Sequence, residues 1–241
     1  MAVPDYVLDA TARVLDVVLP LFKRTPGATF DATTYAAYRR TLARLAGDTR
    51  AAARSTTLAA DLAAVVDGYR SSSSDVPAVL DGLDRVINAV RAWQPVTARS
   101  DTLALQRAAE IGLCSLIESL AVAAQAIAVA GMTLASHDQA ATLRARLART
   151  MDTAIDRASE QRAFDVLRAL RALQAKVTRD LIERGRPLAR ITTYETGLPL
   201  PAVVLAWLLY QDAGRAAELR AENPGTDHPS FMPTRGKALS R

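Results

Sequence analysis

Cys114, His137 and His228 supply the one thiol and the two imidazoles of this sequence. A structural zinc site takes four Cys or His ligands, and three scattered ones do not make it. Cys114 lies in a long apolar run, where burial disfavours the thiolate that nucleophilic chemistry needs. His137 stands just at a predicted helix start and reads as a capping or surface residue. His228 precedes Pro229 and reads as a structural hydrogen-bonding group. The carboxylate pairs Asp81–Asp84 and Asp152–Asp156 stand three and four apart, which makes them ordinary neighbours on a solvated helix face. Neither a Gly-rich phosphate loop, nor a His-Glu-x-x-His pair, nor a nucleophile elbow is present. The residues therefore point to no catalytic centre, no metal site, no cofactor and no enzyme class.

Charge leaves more room for binding. The formal net charge is +5, and the excess is local. Residues 144–190 hold twelve Arg or Lys against six Asp or Glu. Arg144, Arg146, Arg149, Arg168, Arg171, Arg179, Arg184 and Arg186 are the candidate contacts to DNA, whose phosphates attract such a stretch. The opposing reading is a solvated helix face, because basic and acidic residues alternate here at helical spacings. The single cysteine excludes an internal disulfide. The first residues carry Asp5, Asp9 and Asp16 and no basic start, unlike a signal peptide, so synthesis in a reducing cytoplasm is expected.

The elements that must position these residues are helical. Half the residues are apolar but only 5% are aromatic, and the recurring Ala and Leu favour helix over a β-sandwich. Apolar stripes predict helices over 5–22, from an Asp31 cap to Gly47, over about 50–69, from an Asp75 cap to Pro95, from Ser100 to about Leu134, over 139–158 with Asp138 as cap, and over 160–184. Phe30 and Tyr35 are placed to form a hydrophobic staple around the Asp31 cap. Between Ile111 and Leu134 Glu118 is the one formal charge. The segment is long enough to span a membrane, yet it is Ala-rich with scattered Gly, Ser and Gln, and reads as the central helix of a bundle. After Pro187 the pattern changes. Residues 188–195 read as a strand, Pro199 and Pro201 open an apolar helix ending near Tyr210, Asp212 caps another, and a last strand is expected near Lys237–Leu239. The predicted fold is mainly α: a multi-helix bundle, residues 1–186, followed by a small β-α-α-β module, residues 187–241. Val204, Leu205, Leu208, Leu219 and Phe231 are its expected core.

From Phe164 onward the sequence resembles a family. An Arg- and Leu-rich helix (Leu167–Leu181) precedes a short strand (Ile191–Tyr194) and a prolyl apolar helix (Leu200–Tyr210). Then come Asp212-Ala213-Gly214-Arg215, Glu218-Leu219, Asn223 and His228-Pro229-Ser230-Phe231. In this order they resemble the C-terminal half of the DNA circularisation (N) proteins of Mu-like contractile-tailed phages. Family members carry a further N-terminal domain, the one that bears the circularisation name. Asn223 and the closing Gly236-x-x-Leu239 also resemble the LysM-like modules of tail and baseplate proteins. The resemblance implies a virion component of the tail baseplate or hub, made in the host cytoplasm. Its partners would be hub, wedge or tube proteins, with several copies per particle and no membrane span. Trp207, Tyr210, Asp212, Arg215, His228 and Phe231 are the expected docking residues. The alternative is a protein that holds or circularises phage DNA ends through residues 144–190.

Overall fold

The computed structural model describes residues 3–23, 32–225 and 231–240. Among the described residues the chain is mostly helical, 73% counting ten α-helices and two 3-10 turns, with a few short strands near the C-terminus. The expected Asp31 cap, the Phe30 staple and His228 lie outside the described residues.

The chain forms two compact units, Met1–Met132 with Arg146–Thr178, and Thr133–Ala145 with Arg179–Arg241. The unit that holds residues 187–241 is thus larger than that segment, because it takes in the start of one long helix and the end of the next.

In the first unit, α1 (Asp5–Val18) runs into a 3-10 turn, Leu19–Phe22. α2 (Ala32–Gly47) follows. The stripe read as one helix over 50–69 is two, α3 (Thr49–Arg54) and α4 (Leu58–Ser71). The break falls at Ser55–Thr57, where side chains compete for the backbone. The Thr57 N–H donates to Ser55 Oγ at 3.2 Å, and the Thr57 hydroxyl donates to Asp61 at 2.9 Å. α5 (Val76–Ala92) starts where Asp75 accepts the Ala78 N–H at 3.1 Å. α6 (Asp101–Ala130) starts where Ser100 accepts the Leu103 N–H.

α6 packs against α1, α4 and α5. α1 buries Leu8, Val14, Leu15 and Val18, and α5 buries Val79, Leu80, Leu83, Val86, Ile87 and Val90. Steps of three and four place each set on one face. Each such large side chain contributes about 1.5–3 kcal/mol through removal from water.

α7 (His137–Glu160) and α8 (Phe164–Gly185) continue the chain, and the division between the units falls inside both. Asp138 does not cap α7 as its position predicts. Ser136 accepts the Gln139 N–H at 3.1 Å as the N-cap, and Gln139 Oε1 reaches back one residue further to accept the Ala135 N–H at 2.6 Å. Asp138 is left to accept the Ile191 N–H at 2.6 Å.

In the second unit, β1 (Ile191–Glu195) pairs antiparallel with β4 (Arg235–Leu239), Ile191 opposite Leu239. Between them lie β2 (Leu200–Pro201), α9 (Ala202–Tyr210), a 3-10 turn Ala213–Arg215, α10 (Ala216–Ala221) and β3 (Phe231–Met232). β2 and β3 also pair antiparallel.

Candidate functional site

The second unit closes around a small core of Tyr194, Leu205, Ala206, Tyr210, Leu219 and Met232. Several of its polar side chains are tied inward, while the buried Tyr194 hydroxyl has no hydrogen-bond partner among the described residues. The Tyr210 hydroxyl accepts the Leu239 N–H at 3.0 Å, joining α9 to β4. Burial raises the Tyr210 hydroxyl's pKa above the ordinary tyrosine value. The Arg215 guanidinium stacks 3.9 Å above the Tyr210 ring and pairs with Glu218. Asp212 accepts the Gly214 N–H at 2.8 Å. Asn223 donates to the carbonyls of Leu219 and Lys237 and accepts the Lys237 N–H, bridging α10 to β4. A Cβ at Gly236 would stand 2.5 Å from Asn223 Oδ1 and from the Tyr194 hydroxyl, so only glycine fits there.

α9 turns a different side outward. Val203, Val204, Trp207 and Leu208 are exposed, Trp207 at 54% and Leu208 at 56%. Positions i, i+1, i+4 and i+5 share one helix face. Leu198 before the helix and Phe231 on β3 are exposed as well. The expected core is therefore corrected at three places. Leu205 and Leu219 are buried, whereas Val204, Leu208 and Phe231 are not. β2, β3 and α10 cover α9 on one side. Phe231 alternates with buried Met232 along a two-residue strand, so one of the pair must face out.

Of the six expected docking residues, Trp207 and Phe231 are thus on the surface. Tyr210 is buried, Asp212 and Arg215 are engaged within the unit, and His228 is outside the described residues.

The basic stretch divides in the same way. Arg146 bridges Asp81 and Asp84, Arg168 pairs with Asp165, and Arg184 pairs with Asp180. Arg149, Arg171 and Arg179 are exposed on α7 and α8. Arg144 and Arg186 line a cleft of about 190 Å³ in the second unit, together with His137, Ile182, Gly185 and Arg190. His137 and Arg190 carry no signal in the sequence that links them to this place. They meet because the His137 N–H donates to the Ala189 carbonyl at 3.0 Å.

In the first unit three buried polar residues line α6. Glu110 accepts from Arg13, from Trp93 Nε1 at 3.3 Å and from the Val96 N–H at 3.0 Å. Glu118 accepts from Arg91 at 2.7 Å and Arg157 at 2.9 Å. Gln125 donates to Asp84 at 2.6 Å. Cys114 is buried between the two glutamates in sequence, and desolvation pushes its thiol up to about 11. No group of three or more His, Cys, Asp or Glu residues is placed to hold a metal ion among the described residues. α6 is long and apolar enough to cross a membrane, with 61% of its most apolar window buried.

No protein-family model matches the chain, and no curated protein is similar to it.

Proposed function

We propose that this chain is a non-enzymatic structural component of a contractile phage tail, at the baseplate or hub, that acts through protein–protein assembly. The observation that carries the reading is the exposed face of α9, with Val203, Val204, Trp207 and Leu208 opposite the side that packs on the small core of the unit. An exposed apolar face anchored by Trp is the usual composition of an interface centre. The order β1, α9, α10, β4, with β1 paired to β4 and Asn223 bridging to the last strand, supports a LysM-like reading of the module. In that reading residues 1–186 are the helical body and 187–241 the docking module. The partners are other tail proteins, in several copies per particle, and the protein is made in the host cytoplasm without spanning a membrane.

The test is complementation of a phage lacking this gene with a chain carrying Trp207→Ser and Leu208→Ser. Both side chains are more than half exposed, so the variant keeps its fold by circular dichroism while its entry into tails falls. Incorporation at normal copy number would overturn the reading.

The second reading, DNA held through residues 144–190, is favoured by the exposed Arg144, Arg171, Arg179 and Arg186. Salt separates the two. Affinity for DNA falls steeply, with a log–log slope of about −0.9 per phosphate contact, whereas a contact dominated by apolar burial hardly responds.

A further inference from the structure

The cleft between the start of α7 and the end of α8 has a composition that the docking reading does not use. We infer that it is an oxyanion site for a phosphate group, held by Arg144, Arg186 and Arg190 with His137 at its wall. Helical spacing builds it. His137, Ala140, Ala141 and Arg144 share one face of α7, and Leu181, Ile182, Gly185 and Arg186 share one face of α8. The two faces approach at Gly185, where a Cβ would stand 2.7 Å from the Ala140 methyl. Arg190 is fixed from the other side, because its N–H donates to Ser240 Oγ at 2.9 Å and its carbonyl accepts the Ser240 N–H.

Three features select an anion. Among the described residues, none of the three guanidinium groups has a hydrogen bond or an ion pair, unlike those of Arg146, Arg168 and Arg184. No carboxylate lines the cleft. Asp180 and Glu183 fall on other sides of α8 by their spacing, and Asp180 is paired with Arg184, while Asp138 is occupied by the Ile191 N–H. His137 Nδ1 is shut off from solvent with no hydrogen-bond partner. The start of α7 and the end of α8 lie together, so their opposite end charges offset, and the arginines supply the net positive charge. A phosphate answers three such groups better than a carboxylate does, because it carries more charge and more acceptor oxygens for guanidinium forks. The cleft is smaller than the roughly 300–1,000 Å³ of a drug-sized ligand pocket, which suits an anionic group and not a large cofactor. The inference stands on residues separate from the α9 face and does not depend on the docking reading.

The experiment titrates the full chain with inorganic phosphate by calorimetry, with ionic strength held constant by chloride. Saturable phosphate binding is expected, weakened about tenfold or more in Arg144→Gln/Arg186→Gln, the size expected for lost charge-assisted hydrogen bonds. The control Arg85→Gln/Arg107→Gln removes the same charge from exposed sites on α5 and α6 and should bind as the unchanged chain does. Circular dichroism of each variant shows that it is folded, and Arg190→Gln alone repeats the test from the third wall. A second arm uses a short thymidine oligonucleotide. Tighter binding than inorganic phosphate identifies a nucleic-acid backbone as the source of the phosphate, and weaker binding identifies the free ion. Either result requires loss in the Arg144/Arg186 variant. Phosphate binding no stronger than chloride, or equal binding by the variant and the control, overturns the site.

Discussion

Glu118 shows how a single residue decides the character of a whole helix. It is 2% exposed, and both its oxygens are taken by guanidinium groups, Arg91 from α5 and Arg157 from α7. Removing one partner of such a set strands the others in low dielectric. Glu118→Ala is therefore expected to cost about 3–5 kcal/mol, read from the midpoint of urea unfolding. A shift below about 1 kcal/mol would mean that water reaches the pair. Cys114 makes a second prediction four residues away. Its thiol is pushed up to about 11 from an ordinary value of 9.0, so the native protein holds it neutral where the unfolded chain begins to ionise. The sign follows: this contribution to stability is complete below pH 9 and is lost as pH rises toward 11. At pH 8 a thiol reagent should label Cys114 slowly in buffer and fast in urea, and equal rates in both would contradict the burial.

At the scale of the element, α9 is the informative one. Its sequence, AVVLAWLLY, is apolar on every side, so periodicity assigns no inner face. Leu205 is buried and its neighbour Val204 is not, although a β-branched residue and a leucine are equally suited to either place. The short strands and α10 cover one side only, and coverage makes the distinction. Leu205→Ala should cost about 2–5 kcal/mol through the cavity left behind. Leu208→Ser should change stability by less than about 0.5 kcal/mol, as exposed substitutions do. Thermal unfolding of the two variants checks the assignment, and similar losses at both positions would place Leu208 in the core after all. Elsewhere the local signals were sufficient. Asp75, Ser100 and Asp212 each accept a backbone N–H two or three residues ahead, as their spacing predicts. Asp138 has the same local signature, but Ser136 caps α7 in its place.

Over the whole molecule the question is what α6 is for. Length and composition alone allow it to cross a membrane. Glu110, Glu118 and Gln125 fall within one face of it, and each is bonded to a neighbouring helix or to the Trp93–Val96 segment. A bilayer offers no such partners, and a charged residue at its centre costs roughly 2.5–3.5 kcal/mol on insertion scales. The full chain expressed alone should therefore stay in the supernatant without detergent. Sedimentation with membranes, resistant to salt, would reverse that conclusion. The extent of the second unit also alters how truncation should be read. Cutting at residue 187 removes the acceptor of the His137 N–H and the donor to Asp138, so point variants on α9 test docking more cleanly than deletion does.

By itself the sequence determined what depends on neighbours along the chain: most of the helices through their stripes, though not the break between α3 and α4, several of their starts through capping side chains, the change of pattern after Pro187, and the local excess of arginine. It could not determine which arginines are already paired. Arg146 meets Asp81 and Asp84 more than sixty positions earlier, while Arg144, two residues before it, meets no partner among the described residues. Nor could it show β2 and β3, because two residues are too few for alternation to register. His137 and Arg190 are brought to one cleft by a backbone hydrogen bond across fifty-odd residues. Tertiary structure decided these points for one physical reason. Burial and ion pairing depend on what covers a side chain, and here the covering groups come from distant parts of the chain.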